Sequence, residues 1–246
     1  MTSDLKNRIH SGSLILVNPD YGCSDLQNEM VTVHPSFPDI QLEKEAAHML
    51  SLCMESIHGW DGIVPVSGYR PHSEQQKIFD DCLKQDGPEF TSQYVAIPGH
   101  SEHETGLAID LGKKQEKIDF IRPDFPHEGI CQVFRDAAAK FGFIERYAEE
   151  KQSITHISSE PWHFRYVGIP HAAIITQHHL SLEEYIDLIR SYPYELSQYY
   201  SSYSAADHAE YRISSIGADI PLPANRTVRI SGDNISRLIL TEMIRR

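Results

Sequence analysis

The sequence lacks the features that mark several classes of protein. Its four cysteines, Cys23, Cys53, Cys82 and Cys131, lie far apart and form no CxxC pair. This spacing argues against a zinc knuckle, a dithiol redox site and a disulfide framework. No segment approaches the roughly 20 apolar residues that cross a bilayer, and the apolar stretch 14–17 is too short for the core of a signal peptide. We therefore expect a soluble, cytoplasmic protein without a membrane anchor.

Positive charge is also scarce. The 246 residues include 35 acidic and 22 basic side chains, which gives a net charge of -13. Such a chain repels phosphate backbones, so we expect no nucleic-acid partner. The hydrophobic share of 40% and the charged share of 23% are ordinary for a globular protein, and the length is enough to bury a sizeable core.

Hydrophobic periodicity predicts a mixed α+β protein. The predicted strands are 13–18, 63–69, 107–111 and 162–168, and the predicted helices are about 39–57, 73–85, 129–141 and 182–192. Capping boxes are predicted at Ser73 with Gln76 and at Ser181 with Glu184, and Gly142 should end the third helix. These elements would form one α+β domain over residues 1–192.

The last part of the chain has a different character. Residues 209–216 and 226–231, followed by a Gly-Asp-Asn turn and another apolar run, are typical of a small β meander. The polar segment 193–207 is the best candidate for a linker. We therefore predict a β-rich C-terminal appendage over residues 193–246.

Asp110 lies in the apolar run "LAIDL" (107–111), whose alternation places Ala108 and Asp110 on one face of a strand. A buried carboxylate must be paired, protonated or bound to a metal, although an aspartate at a strand end can also accept backbone hydrogen bonds. His103 precedes it, and Gly106 permits a tight turn that would fold the imidazole back toward Asp110. Catalytic zinc usually takes three protein ligands, so this pair would be only part of a site.

A second candidate stretch is "SEPWHFRY" (159–166). His163 lies on a predicted strand and can face a cavity. Residues three apart on a regular strand point to opposite faces, so Glu160 must lie before regular pleating if it is to share a site with His163. Such a carboxylate would suit a general base beside a metal. The alternative is a histidine packed by aromatic side chains, with Glu160 in a surface salt bridge.

The third stretch is "SGYRP" (67–71). Arg70 follows a predicted strand and precedes Pro71, which restrains its backbone. Its guanidinium could bind a carboxylate or stabilise an oxyanion. Taken singly, it could equally be an ordinary exposed arginine.

The order of these blocks, S-x-Y-R-P, then S-x-H-x-x-G-x-A-x-D, then E-x-W-H, resembles the zinc D,D-peptidases that include VanX, VanY and VanXY. More broadly it resembles the LAS group, which also contains phage L-alanoyl-D-glutamate endopeptidases and is related in fold to the Hedgehog signalling domain. The resemblance covers roughly residues 10–190. It implies an α+β fold in which an antiparallel sheet with flanking helices carries the zinc site.

The resemblance also implies roles for individual residues. His103, Asp110 and His163 match the three ligands of one zinc ion, and Glu160 matches the catalytic base. Arg70 matches the arginine that stabilises the oxyanion, so it contacts substrate too. Two further positions, Ser101 and Gln75, match residues that bind substrate.

For function, the resemblance implies hydrolysis of the D-Ala-D-Ala bond in the free dipeptide and in peptidoglycan precursors such as UDP-muramyl pentapeptide. A sequence without an anchor and with a tail is most similar to VanXY, the bifunctional dipeptidase and carboxypeptidase of vancomycin resistance. Two alternatives are a phage-type L-alanoyl-D-glutamate endopeptidase and a Hedgehog-like domain whose zinc supports a binding surface. The presence of both Glu160 and Arg70 argues against the second.

Other polar residues near the motifs receive lesser roles. His100 and His156 could support the ligands or contact substrate. Glu102 and Glu104 are expected to face solvent. His178 and His179 are expected to be polar surface.

Overall fold

The computed structural model describes residues 7–23, 28–194, 200–204, 209–220 and 228–245, without the side chains of 200–204 and 245. The predicted linker 193–207 and the predicted strand 226–231 lie partly outside these residues. The described chain is a mixed α+β protein with antiparallel sheets, so the predicted fold class is confirmed.

Seven α-helices lie in the described ranges. They are α1 Lys44–Ser56, α2 His72–Gln85, α3 Gly87–Tyr94, α4 Gly129–Ala138, α5 Gln152–Thr155, α6 Ile169–Gln177 and α7 Leu182–Arg190. Single 3-10 turns span Arg8–His10, Gly59–Asp61, Glu102–Thr105, Ala139–Phe141 and Glu149–Lys151.

Helix boundaries follow local capping chemistry. The predicted box at Ser181 and Glu184 is present at the start of α7. The box predicted at Ser73 is absent, because α2 begins one residue earlier at His72, after Pro71. Gly142 stops the 3-10 extension of α4 with a φ of 85°, a left-handed conformation that glycine adopts without strain, as predicted.

The strands form three antiparallel groups. They are β1 Met30–Thr32, β2 Gln41–Glu43, β3 Ile63–Ser67, β4 Ala108–Lys113, β5 Phe143–Tyr147, β6 Glu160–Tyr166, β7 Tyr200–Ser204, β8 Ala209–Gly217, β9 Val228–Gly232 and β10 Arg237–Arg245. The central sheet has the order β3-β4-β6-β5, the C-terminal sheet has the order β7-β8-β10-β9, and β1 pairs with β2. The predicted meander is therefore wrong in one respect, because β10 lies between β8 and β9 instead of following β9 at an edge.

The central sheet has two faces of different character. Side chains of one parity, including Ile109, Leu111 and Phe164, pack with Leu50 and Phe134 of the flanking helices into one apolar core. Alternation in the strands sends the polar side chains of Asp110, His163 and Arg165 to the opposite face. The alternation predicted for "LAIDL" is confirmed, and it gives the sheet one apolar and one polar side.

A second apolar core joins the C-terminal sheet to the rest of the chain. It contains Tyr211, Ile213 and Ile239 from that sheet, together with residues of α6 and α7 and with Leu14 and Leu16. The C-terminal strands therefore pack on the helices that close the predicted first domain, and the boundary at 192/193 stays a prediction.

Residues 14–17 are buried, but residues 13–18 do not form the predicted strand. Their backbone groups bond to side chains and loops instead of to a neighbouring strand. The Ser231 hydroxyl accepts from the Leu14 amide, and the Asn234 amide donates to the Leu16 carbonyl. An apolar run that is buried on all sides is satisfied by these contacts without joining a sheet.

Candidate active site

The three predicted ligands come together on the polar face of the central sheet. Asp110 on β4 and His163 on β6 are directly opposite each other in the strand register, so their side chains leave the sheet on the same side. His103 lies in the 3-10 turn Glu102–Thr105, just before β4. Gly106 ends that turn in the left-handed conformation, with a φ of 73°, and returns the chain to the sheet, as predicted.

The donor atoms of these residues converge. His103 Nε2 lies 3.1 Å from Asp110 Oδ2, and His163 Nδ1 lies 2.9 Å from Asp110 Oδ1. One ligand atom from each residue can be chosen so that all three lie within 4.8 Å of one another, and all three residues are buried. Two imidazole nitrogens and one carboxylate oxygen are a donor set that zinc takes in catalytic sites, so the residues present fit this ion.

Each histidine has its second ring nitrogen occupied. His103 Nδ1 lies 2.8 Å from the carbonyl oxygen of Gly68, and His163 Nε2 lies 3.2 Å from Glu102 Oε2. These contacts leave His103 Nε2 and His163 Nδ1 as the nitrogens that face Asp110. A hydrogen bond at one ring nitrogen fixes which nitrogen is available at the other side of the ring.

Glu160 reaches the same site through an irregularity in β6. The β5–β6 register passes from Glu145 opposite Phe164 to Tyr147 opposite Glu160, so β6 holds two more residues than β5 over this interval. This bulge breaks the alternation and brings Glu160 Oε2 to 3.7 Å from His163 Nδ1. We expected Glu160 to lie before regular pleating. Glu160 is in fact the first residue of β6, but it lies at the bulge, where the pleating is irregular.

Burial governs the protonation of Glu160. Loss of solvent raises the pKa of its carboxyl group to about 8, against the opposing effects of His163 and Arg70. A carboxyl group with a pKa near neutrality can both accept and release a proton at working pH. That property distinguishes it from Asp110, whose contacts with His103 and His163 outweigh burial and hold its pKa well below the usual range.

Three predicted substrate-contacting residues line the same cavity as the ligands. Arg70, Gln75 and Ser101 stand around it together with Tyr147 and Trp162. The Nε of Arg70 and the Oε1 of Gln75 are buried and have no hydrogen-bond partner among the described residues. Buried polar atoms without a partner are costly, so these two are poised to bond to a ligand. Ser101 Oγ accepts from the His103 amide at 3.3 Å.

The expectation for Glu102 and Glu104 was wrong. Glu102 is fully buried, because Arg146 and Arg165 compensate its charge. Burial alone would raise the pKa of Glu102, but these two arginines hold it well below the usual range. Glu104 is also withdrawn from solvent, since it accepts from the Gly99 amide at 2.7 Å and contacts His72 at 2.8 Å.

The four other histidines singled out in the sequence do not line the cavity of the ligands. His100 and His156 line a neighbouring, mostly apolar cavity, and His100 Nδ1 bonds to the Asn18 carbonyl. His178 and His179 are exposed, as predicted. Tyr147 is a site residue that the sequence did not indicate. Its ring centroid lies 4.9 Å from that of His163. The contact joins two different strands, and no local sequence motif predicts such a contact.

No helix in the described part of the chain combines the length and the apolar character that crossing a membrane would require.

The chain is similar to proteins of known activity. The profile of the VanY family, described as D-alanyl-D-alanine carboxypeptidase, matches residues 39–169, a range that contains all three motif blocks. The chain is 45% identical over 152 residues to VanXYC of Enterococcus gallinarum, a bifunctional D-Ala-D-Ala dipeptidase and D-Ala-D-Ala carboxypeptidase. That alignment covers 61% of this chain and 80% of the relative.

Two solved structures extend the similarity to the fold. The vancomycin-resistance D,D-dipeptidase VanXYg, in complex with a D-Ala-D-Ala phosphinate analogue, superposes with a TM-score of 0.91 at 46% identity, covering 97% of this chain and 96% of that one. A mutant VanY from a VanB-type resistance cassette, in complex with Zn(II), superposes with a TM-score of 0.60 at 30% identity, covering 71% and 98%.

Proposed function

Because the chain belongs to the VanY family of D-alanyl-D-alanine carboxypeptidases, we propose that it hydrolyses the D-Ala-D-Ala peptide bond in the free dipeptide and at the end of peptidoglycan precursors. The observation that carries the proposal is the meeting of His103, Asp110, His163, Glu160 and Arg70 around one cavity. The similarity to VanXYC and VanXYg supports activity on both kinds of substrate and a role in vancomycin resistance.

One zinc ion per chain would be held by His103, Asp110 and His163, whose donor atoms converge. When bound, zinc supplies a Lewis acid that polarises a carbonyl group and acidifies water. A zinc dication held by one carboxylate and two neutral imidazoles would keep a net positive charge. That charge favours substrates whose reacting group becomes negative during hydrolysis.

Glu160 would act as the general base. It would take a proton from the attacking water and later pass it to the amine of the leaving D-Ala. Its burial and its raised pKa of about 8 support this exchange, because the carboxyl group can gain and lose a proton near neutral pH.

Arg70 and Gln75 would hold the substrate. The unpartnered Nε of Arg70 can donate to the oxygen on which negative charge develops, and the unpartnered Oε1 of Gln75 can accept from an N–H group of the peptide. Gln75 is fixed for this task because its Nε2 already donates to the Ala96 carbonyl at 2.8 Å. Ser101 would contribute a hydroxyl group beside the ligands.

An amino-acid release assay tests the proposal. Zinc-loaded protein should release D-Ala from D-Ala-D-Ala and from UDP-muramyl pentapeptide, and a chelator should abolish both reactions. Release from neither substrate would show that the proposal is wrong. Cleavage of the L-Ala–D-Glu bond in purified sacculi would instead support the endopeptidase alternative. The proposed cytoplasmic location, where the substrates would be soluble precursors, is tested separately by cell fractionation.

A further inference from the structure

We propose that Glu102 is a positioning residue that fixes which ring nitrogen of His163 faces the candidate zinc site. The proposal rests on the proposed function only in taking His163 as a metal ligand. It concerns a residue that lines the cavity and contacts the ring nitrogen of His163 that does not face Asp110.

The imidazole of His163 lies between two carboxylates. Its Nδ1 lies 2.9 Å from Asp110 Oδ1, and its Nε2 lies 3.2 Å from Glu102 Oε2. Both carboxylates can accept from the ring; when Nδ1 serves as the zinc ligand, the single proton of the neutral imidazole is on Nε2, where Glu102 accepts it. The lone pair is then on Nδ1, on the side of Asp110. Carboxylate–histidine contacts of this kind orient metal ligands in many metalloproteins.

His103 is held in the opposite sense. Its Nδ1 faces the Gly68 carbonyl at 2.8 Å, so its Nε2 faces Asp110. A carbonyl oxygen only accepts, so when Nε2 serves as the zinc ligand the proton of His103 is on Nδ1, facing Gly68. In the zinc-bound site the two histidines would therefore be different tautomers, one supported by the backbone and the other by Glu102.

Glu102 can orient His163 because it is itself immobilised. Its Oε1 lies 2.9 Å from both Arg146 Nε and Arg165 Nη1, and its side chain is fully buried. Arg146 is clamped by both oxygens of Glu183 on α7, at 2.9 and 2.6 Å. The Nη2 of Arg165 donates to the carbonyl oxygens of Ser13 and Ile15. Each arginine is thus fixed by groups other than Glu102.

A purely structural role for Glu102 would be to neutralise these arginines. Glu183 supplies a matched comparison, because it pairs with the same Arg146 but does not touch His163. Loss of either carboxylate removes one charge from the same buried ion network. Only loss of Glu102 removes the contact to the His163 ring.

The first test requires no variant. Long-range ¹H–¹⁵N NMR on zinc-loaded protein with ¹⁵N-labelled histidine, compared with chelated protein, identifies the metal-responsive rings. We expect one ring bound through Nδ1 with a slowly exchanging Nε2 proton, and one bound through Nε2. Two rings bound through the same nitrogen would overturn the proposal.

The second test compares Glu102→Gln with Glu183→Gln. We expect Glu102→Gln to weaken zinc binding by about 10–100-fold in a chelator competition, whereas Glu183→Gln changes it less than about threefold. The Nε2 proton signal should move only in Glu102→Gln. Equal losses of zinc affinity in both variants, or an unchanged affinity in Glu102→Gln, would refute the positioning role.

If Glu102→Gln does not fold, the tautomer measurement on the unmodified protein can still refute the proposal. Both tests report zinc binding instead of turnover. A protein that binds zinc with the expected tautomers but releases no D-Ala would refute the proposed function and leave this inference standing.

Discussion

Acidification should destabilise the fold through His171, which does not line the candidate zinc site. This histidine lies on α6 and is 5% exposed. Its Nδ1 lies 2.6 Å from the Tyr185 hydroxyl, and its Nε2 lies 2.9 Å from the Thr241 hydroxyl on β10. Two hydroxyl groups satisfy a neutral imidazole, one as donor and the other as acceptor, but they offer no charge to stabilise an imidazolium.

Burial, helped by the charge of Arg229, lowers the pKa of His171 from 6.5 to about 3. Between these two values the unfolded chain binds a proton that the folded chain does not. Stability is therefore fully present above pH 6.5 and is lost as the pH falls toward 3. One proton corresponds to about 1.4 kcal/mol per pH unit, so lowering the pH from 7 to 5 removes about 2 kcal/mol of the free energy of unfolding.

Urea unfolding of the chelated protein and of His171→Gln, at pH 7 and pH 5, measures this term. At pH 7 the variant should be less stable by about 1–2 kcal/mol, because a buried hydrogen bond is lost. At pH 5 that deficit should shrink by about 2 kcal/mol, since glutamine takes up no proton. The exposed helical control His48→Gln should show no such change. An equal deficit for His171→Gln at both pH values would refute the reasoning.

Three further predictions concern the site. Glu160→Ala should keep zinc at one ion per chain by metal analysis but lose about 10²–10⁴-fold in kcat, and a metal-free variant would contradict the role of base. Gly106→Ala should lower the free energy of unfolding by about 1–3 kcal/mol in urea, because its Cβ would lie 2.5 Å from Met30 Sδ at a φ of 73°; unchanged stability would count against a required glycine. Removing zinc should lower the melting temperature by roughly 10 °C in calorimetry when zinc is in about thousandfold excess over its Kd, and a shift below about 1 °C would argue against tight binding.

The ligands could be predicted from sequence because each leaves a local trace. Asp110 interrupts an apolar strand, and Gly106 marks the turn that returns His103 to it. What the sequence could not supply is the strand register that sets Asp110 opposite His163. The bulge that turns Glu160 toward His163 is likewise a property of two paired strands, and only the requirement for it could be inferred.

Glu102 shows why the remaining residues were missed. An acidic residue in a polar loop is normally solvated, and its neighbours in sequence give no reason to bury it. Its partners, Arg146 and Arg165, lie on β5 and β6, far along the chain. The two arginines carried the usable signal. Each is a charged residue inside an apolar, aromatic strand, and a charge buried there requires a buried partner.

The C-terminal sheet contributes to this arrangement through the N-terminal segment. Ser231 and Asn234 hold residues 14–16 by hydrogen bonds to their backbone, and Asp233 accepts from the Leu16 amide. The carbonyl oxygens of Ser13 and Ile15 in turn receive Arg165, which contacts Glu102 and so the ring of His163. A segment that looked like a separable β-rich tail in the sequence is thereby connected to the candidate metal site through buried polar contacts. Because most of these contacts are between buried groups, breaking one would leave a charge or a carbonyl without a partner and with little access to water, which disfavours separation of the tail from the site.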